Sequence, residues 1–279
     1  MNLGVRAHDF GKLPAEELAR QIAAHGLNCI QLAPNKAIAG CDDDAKGFDP
    51  AYARGLGETF KKHGIHISVL GCYINLGDRD EATRRPQLER FKNYLRAAND
   101  FGCPIVGTET GSLNSDFSRH PDNGGDEAFD IVLQSVRELV KVAEENQAIV
   151  CIEAVERYVI SSPERLRRLV DEVGSPNLKV IYDPVNLLWS TNCDREAAIL
   201  DAAHTLLGDQ IRIVHAKDYS ITDDGAFREL SSGQGRLNYR KLLRWIKDTC
   251  PDIDILLENT HPASIARTVE FMQQAYREA

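Results

Sequence analysis

At 279 residues, 43% hydrophobic and 27% charged, the chain carries enough apolar mass for one large domain spanning 1–279. A formal net charge of −9, with no Lys/Arg-rich run, argues against a protein that tracks nucleic acid but leaves room for a local basic pocket. The start MNLGVRAHDFGK has no signal core, no apolar run reaches membrane-spanning length, and the seven cysteines, with no C-x-x-C pair, read as reduced thiols; a cytoplasmic protein is expected.

One rhythm repeats along the chain: a short apolar run, a loop, then an amphipathic stretch. The runs lie at 2–8 (NLGVRAH), 28–33 (NCIQLA), 65–73 (IHISVLGCY), 104–109 (PIVGTE), 148–153 (AIVCIE), 178–183 (LKVIYD), 211–216 (IRIVHA) and 254–258 (DILLE). Most show little alternation, as expected of parallel strands covered on both faces. Between them, helix punctuation recurs. Pro14 opens the first helix and Gly26 closes it, and Asp49-Pro50 and Ser162-Pro163 each place an N-cap before a proline suited to the first helical position. Gly64, Gly102 and Gly174 mark further ends, and Pro86 sets the start of the firm helix in 80–101. Eight strands alternating with eight helices predict a single-domain α/β fold, a (β/α)8 TIM barrel. The competing doubly wound sheet usually carries a glycine-rich first turn, and RAHDFGKLP (6–14) offers none.

The later strands end on chemically costly residues: the fifth on Glu153, the sixth on Asp183, the seventh on His215, the eighth on Glu258. Alone, each reads as a cap or an ion-pair partner. In a barrel, however, the C-terminal ends of consecutive strands surround one mouth. Three carboxylates and an imidazole converging without matching cations would repel one another, and one divalent ion removes the conflict. An oxygen-rich set with one imidazole suits Mn²⁺, Mg²⁺, Co²⁺ or Zn²⁺ in an open site. Glu109, ending the fourth strand, reads equally as a substrate contact or a structural hydrogen-bond partner.

As a set, IE (152–153), YDPVN (182–186), HAKD (215–218), LLEN (256–259) and the Gly-x-Gly of SGQGRLNY (232–239) resemble the xylose isomerase-like (β/α)8 superfamily of sugar phosphate isomerases and epimerases. The resemblance implies a metal held by Glu153, Asp183, His215 and Glu258. It also implies that Glu153 and Glu258 act as acid and base on opposite faces of a sugar or related polyol ketone. Departures accompany it: ketohexose epimerases usually have Glu, His and Arg where this chain has Val159, Asn186 and Ile221. Inosose isomerases and dehydratases, which act on cyclic polyols, therefore stay open. The superfamily's apurinic-site endonucleases need histidines at strand ends where Leu32/Ala33, Tyr73 and Asn186 stand. A sugar-binding barrel without turnover is the remaining alternative, and an opposed pair of acids argues against it.

Other residues near the mouth carry paired readings. His8 ends the first strand and either closes the floor of the site or packs. Glu156 and Arg157 touch substrate hydroxyls or form a loop ion pair, and Lys217 holds an oxyanion or a structural salt bridge. Asn186, in the loop after the sixth strand, is a substrate contact. His261 is a weaker candidate, and Gly233 and Gly235 offer backbone N–H groups to a phosphate or form a plain turn. The expected partner is a small carbohydrate, with no nucleic acid and no membrane; pairing of barrels through exposed helices into a homo-oligomer is compatible with this reading.

Overall fold

The predicted apolar runs pair side by side, all parallel, and close on themselves. The structure is a computed structural model describing residues 1–41 and 45–279. In chain order, β1 (Asn2–Arg6) passes through a 3-10 turn (Ala7–Phe10) to α1 (Ala15–Ala23), and β2 (Cys29–Leu32) is followed by the single turn α2 (Pro34–Ala37) and by α3 (Pro50–Lys62). Next come β3 (His66–Gly71), α4 (Glu81–Ala97), β4 (Ile105–Glu109), α5 (Asp126–Glu145), β5 (Ile149–Glu153) and α6 (Pro163–Val173). The last part runs β6 (Leu178–Tyr182), α7 (Glu196–Leu207), β7 (Ile211–Ala216), β8 (Asp218–Ile221), β9 (Phe227–Leu230), α8 (Tyr239–Thr249), β10 (Asp254–Leu257) and α9 (Ile265–Glu278). The barrel order is β1-β10-β7-β6-β5-β4-β3-β2, closed; β8 and β9 form a separate antiparallel pair. This is the TIM barrel predicted from the sequence.

Two apolar layers hold it. Cys29, Val69, Cys151, Ile181, Ile213 and Leu256 fill the barrel interior, and a larger shell packs the strands against the surrounding helices. Burial on both faces explains why the strands read as continuous apolar runs. The predicted punctuation is present: Asp49 accepts from the amides of Ala51 and Tyr52, Ser162 accepts from Arg165 N, and Gly26, Gly64, Gly102 and Gly174 have positive φ. Each such cap contributes about 1 kcal/mol.

One expectation is corrected and one element is new. α4 begins at Glu81 and carries Pro86 inside it, capped by Asp80 through Ala82 N. Pro86 forfeits one hydrogen bond, but Ala82 and Pro86 are both exposed, so water can serve the freed carbonyl. The hairpin β8–β9 was not anticipated. It lies outside the barrel and its second strand, FREL, is mostly unburied, so no apolar alternation marks it.

Candidate metal centre and active site

Glu153 is the last residue of β5, Asp183 follows β6, His215 sits near the end of β7, and Glu258 follows β10. All four are buried. A donor atom from each of Glu153, Asp183 and His215 lies within 4.8 Å of the other two. Local bonding fixes these side chains. Asp183 Oδ1 accepts from Val185 N (2.8 Å) and Asn186 N (3.1 Å), which turns the chain sharply after the strand. Asn186 Nδ2 donates to Glu153 Oε1 at 2.7 Å. His215 Nδ1 lies 3.3 Å from Glu153 Oε1 and 3.1 Å from Glu258 Oε1.

Asp183 Oδ2 and His215 Nε2 are both buried without a hydrogen-bond partner. Asp183 Oδ2 does face Lys217 Nζ as an ion pair at 3.3 Å, and a divalent cation among the converging carboxylate oxygens and imidazole nitrogen would serve them further. Glu153, Asp183 and His215 thus form a candidate buried metal-binding triad whose oxygen and nitrogen donors fit Mn²⁺, Mg²⁺, Co²⁺ or Zn²⁺. Glu258, expected as a fourth ligand, is outside this triad. It touches His215, but its other oxygen lies 3.4 Å from Lys217 Nζ and 3.5 Å from Arg6.

Contrary to expectation from the sequence, the converging acids do have a matching cation. Lys217 Nζ is buried 3.3 Å from Asp183, 3.1 Å from Glu229 and 2.7 Å from Asn186 Oδ1. Charge balance therefore does not demand a metal by itself; the convergence of three buried donor atoms makes the stronger case. Burial pushes the Asp183 carboxyl up to about 7 despite the pull of Lys217, with Glu258 and Glu153 adding to the rise. Burial opposes charge on His215, yet Glu153 and Glu258 outweigh it and lift the imidazole to about 10. For Glu258, burial is overcome by Lys217, His215 and Arg6, which hold it well below the usual carboxylate range.

Residues 19–275 match the family described as xylose isomerase-like TIM barrel. The chain belongs to the xylose isomerase-like TIM-barrel family. A D-psicose 3-epimerase from Enterocloster bolteae is 31% identical over 155 residues, 51% of this chain and 49% of that protein. The chain thus spans about half the length of the curated relative it matches. Among solved structures, a D-tagatose 3-epimerase-like protein superposes with a TM-score of 0.78 at 19% identity, covering 100% of this chain and 98% of the other. The IOLI protein with a bound zinc atom gives 0.77 at 15% identity, covering 100% and 99%. At these identities the structural likeness speaks for the fold alone.

In this xylose isomerase-like barrel, a cavity of about 270 Å³ opens over the cluster. His8, Glu109, Asn186, Lys217 and Glu258 line it, together with Arg6, Lys36, Tyr73, Arg157 and Glu229. His8, beside Arg6 and Lys36, is pushed by burial down to about 4 and so stays neutral. Glu109 pairs in register with Glu153 on the adjacent strand, and burial, reinforced by Glu153, raises its carboxyl to about 7. Glu156 forms an ion pair with Arg119 and is not among the residues lining this cavity; Arg157 is. His261 is exposed.

The Gly-x-Gly turn serves an internal acid, which corrects the phosphate reading. Gly233 N and Gly235 N donate to Asp218 Oδ2 at 3.1 and 2.9 Å, and Tyr219 N and Leu237 N donate to Oδ1. A Cβ at Gly235 would stand 2.1 Å from Tyr219 O, so only glycine fits there. Arg6, Lys36, Tyr73 and Glu229 are the lining residues not foreseen as substrate contacts from the sequence. Arg6, the charged last residue of β1, obeys the same strand-end rule as Glu153; Glu229 lies on the unforeseen hairpin and left no signal. A larger cleft of about 430 Å³, between α3, the turn at 99–102 after α4 and the start of β3, holds none of the cluster.

Proposed function

We propose that this protein is a divalent-metal-dependent isomerase or epimerase of a ketose, sugar phosphate or related polyol ketone, working by proton transfer at the carbon beside the carbonyl. The observation that carries this reading is the buried Glu153–Asp183–His215 triad, with donor atoms within 4.8 Å of one another and Glu258 against its histidine. Glu153, Asp183 and His215 would hold the ion, with Glu258 completing the set. Once bound, the ion would draw electron density from a substrate carbonyl and its neighbouring hydroxyl, making the adjoining C–H acidic.

The chain's own groups do the rest. Glu153 and Glu258 reach the site from β5 and β10, which β6 and β7 separate in the barrel. One carboxylate takes the proton and the other returns one from the far side, inverting a centre; return to the neighbouring carbon moves the carbonyl instead. Lys217, held by Asn186, Asp183, Glu229 and Glu258, supplies a fixed positive charge for a developing oxyanion. His8, Glu109 and Arg157 line the space for substrate hydroxyls.

The likeness to D-psicose 3-epimerase supports the reaction class. The pocket supports a different substrate. Val159 is fully buried, and Asn186 is spent on Glu153 and Lys217. A cyclic polyol ketone is therefore the second reading. Turnover of ketoses, sugar phosphates and inososes with added Mn²⁺ tests both. Glu153→Gln and Glu258→Gln are each expected to lower the rate on the accepted substrate by about 10²- to 10⁴-fold while leaving the far-ultraviolet circular dichroism unchanged. A near-normal rate in either folded variant would refute the two-acid mechanism.

A further inference from the structure

The same rule that marked the mouth of the barrel, a metal-binding residue at the end of a strand, applies at its opposite end. Cys29, His66 and Asp254 are the first residues of β2, β3 and β10. Their donor atoms, a thiol sulfur, an imidazole nitrogen and a carboxylate oxygen, lie within 4.8 Å of one another. His66 Nε2 is 2.7 Å from Asp254 Oδ2, and Ser68 Oγ donates to the same oxygen at 2.6 Å. Cys29 is fully buried, the His66 side chain is 53% exposed, and that of Asp254 is 16% exposed. Position 4, in register with Cys29 on the adjacent strand, is glycine, and a Cβ there would stand 2.5 Å from Cys29 Sγ. The sulfur thus occupies a space kept free by its neighbour.

We propose that Cys29, His66 and Asp254 form a second metal site, selective for zinc, at the N-terminal end of the barrel. One sulfur, one nitrogen and one oxygen donor form a borderline set that suits Zn²⁺ and is poor for Mg²⁺ or Ca²⁺. A tetrahedral zinc ion holds its ligands roughly 3.3–3.7 Å apart, so the His66–Asp254 contact opens by less than about 1 Å to admit it. His66 provides the route from solvent, and a water completes the fourth position. β10 and β2 flank β1, so the ion would bridge the seam where the first strand closes against the last. This site is independent of the reading of Glu153, Asp183 and His215, which contain no sulfur.

Chelator-stripped protein titrated with Co²⁺, a spectroscopic substitute for zinc, tests the proposal. The expected result is a near-ultraviolet sulfur-to-cobalt charge-transfer band that saturates at one equivalent and is bleached by Zn²⁺. It should vanish in Cys29→Ser, need about tenfold or more cobalt in His66→Asn, and persist in Asp183→Asn. His66→Asn alters a half-exposed side chain and keeps the test decisive if Cys29→Ser does not fold. Absence of the band in wild-type protein at excess Co²⁺, or its unchanged survival in His66→Asn, would overturn the site. Neither result depends on catalysis at the other end of the barrel.

Discussion

At the mouth, each buried charge is set against a particular partner, and removing one partner exposes the rest. Lys217 faces Asp183, Glu229 and Glu258. Lys217→Met should destabilise the metal-free protein by about 3–5 kcal/mol, because it strands buried carboxylates. Urea unfolding with and without added Mn²⁺ checks this; a loss under 1 kcal/mol would mean the acids are already protonated or otherwise served. What was legible in sequence follows the same energetics. Glu153, Asp183, His215 and Glu258 stood out because each interrupts or ends an apolar run, where a charge needs a stated partner. Arg6 satisfies the same criterion in β1, but its role depends on Glu258, Asp9 and Asn259, which lie 3.5, 3.0 and 3.1 Å away and far apart in sequence or in the following turn. No local pattern reveals such a pairing.

Elements fold as the sequence implies where burial is two-sided, and depart from it where solvent shares the load. The strands are of the first kind, while the caps at Asp49 and Ser162 were legible from their local chemistry alone. Pro86 within α4 and the β8–β9 hairpin are of the second, since exposed backbone tolerates a missing bond and exposed strands need no apolar face. The hairpin is tied down by one acid: Asp218 accepts four backbone amides, from Tyr219, Gly233, Gly235 and Leu237. Asp218→Ala should cost about 2–4 kcal/mol in urea unfolding, as those amides lose their acceptor; a loss below 0.5 kcal/mol would show that water replaces it. On α7, His204 stacks on Trp245 at 4.1 Å and meets Tyr182 edge-on. Burial lowers its imidazole to about 4, with Asp201 opposing and Lys241 assisting. The unfolded chain takes up that proton near pH 6.5, so the contribution is complete above 6.5 and is lost as the pH falls toward 4. His204→Phe should therefore flatten the fall in Tm between pH 6.5 and 4, and an unchanged slope would remove His204 as its source.

Across the whole molecule, the barrel brings together residues that chain distance separates, and the family resemblance rests on that convergence. Residues 19–275 carry the family match, and the strand ends supply the candidate triad. Specificity is the part that sequence reading reaches least. It sits in the cavity formed by β1 and the turn after it, α2, β4, the hairpin and several strand-end loops, where side chains from several elements meet only after folding. The most direct test of the central claim is solvent-deuterium incorporation during turnover of an accepted ketose by the Mn²⁺-loaded protein. Removal of a proton by one of Glu153 and Glu258 and its return by the other predicts deuterium at the carbon beside the carbonyl, falling in step with turnover in Glu258→Gln; turnover at a normal rate with no deuterium in the product would contradict it.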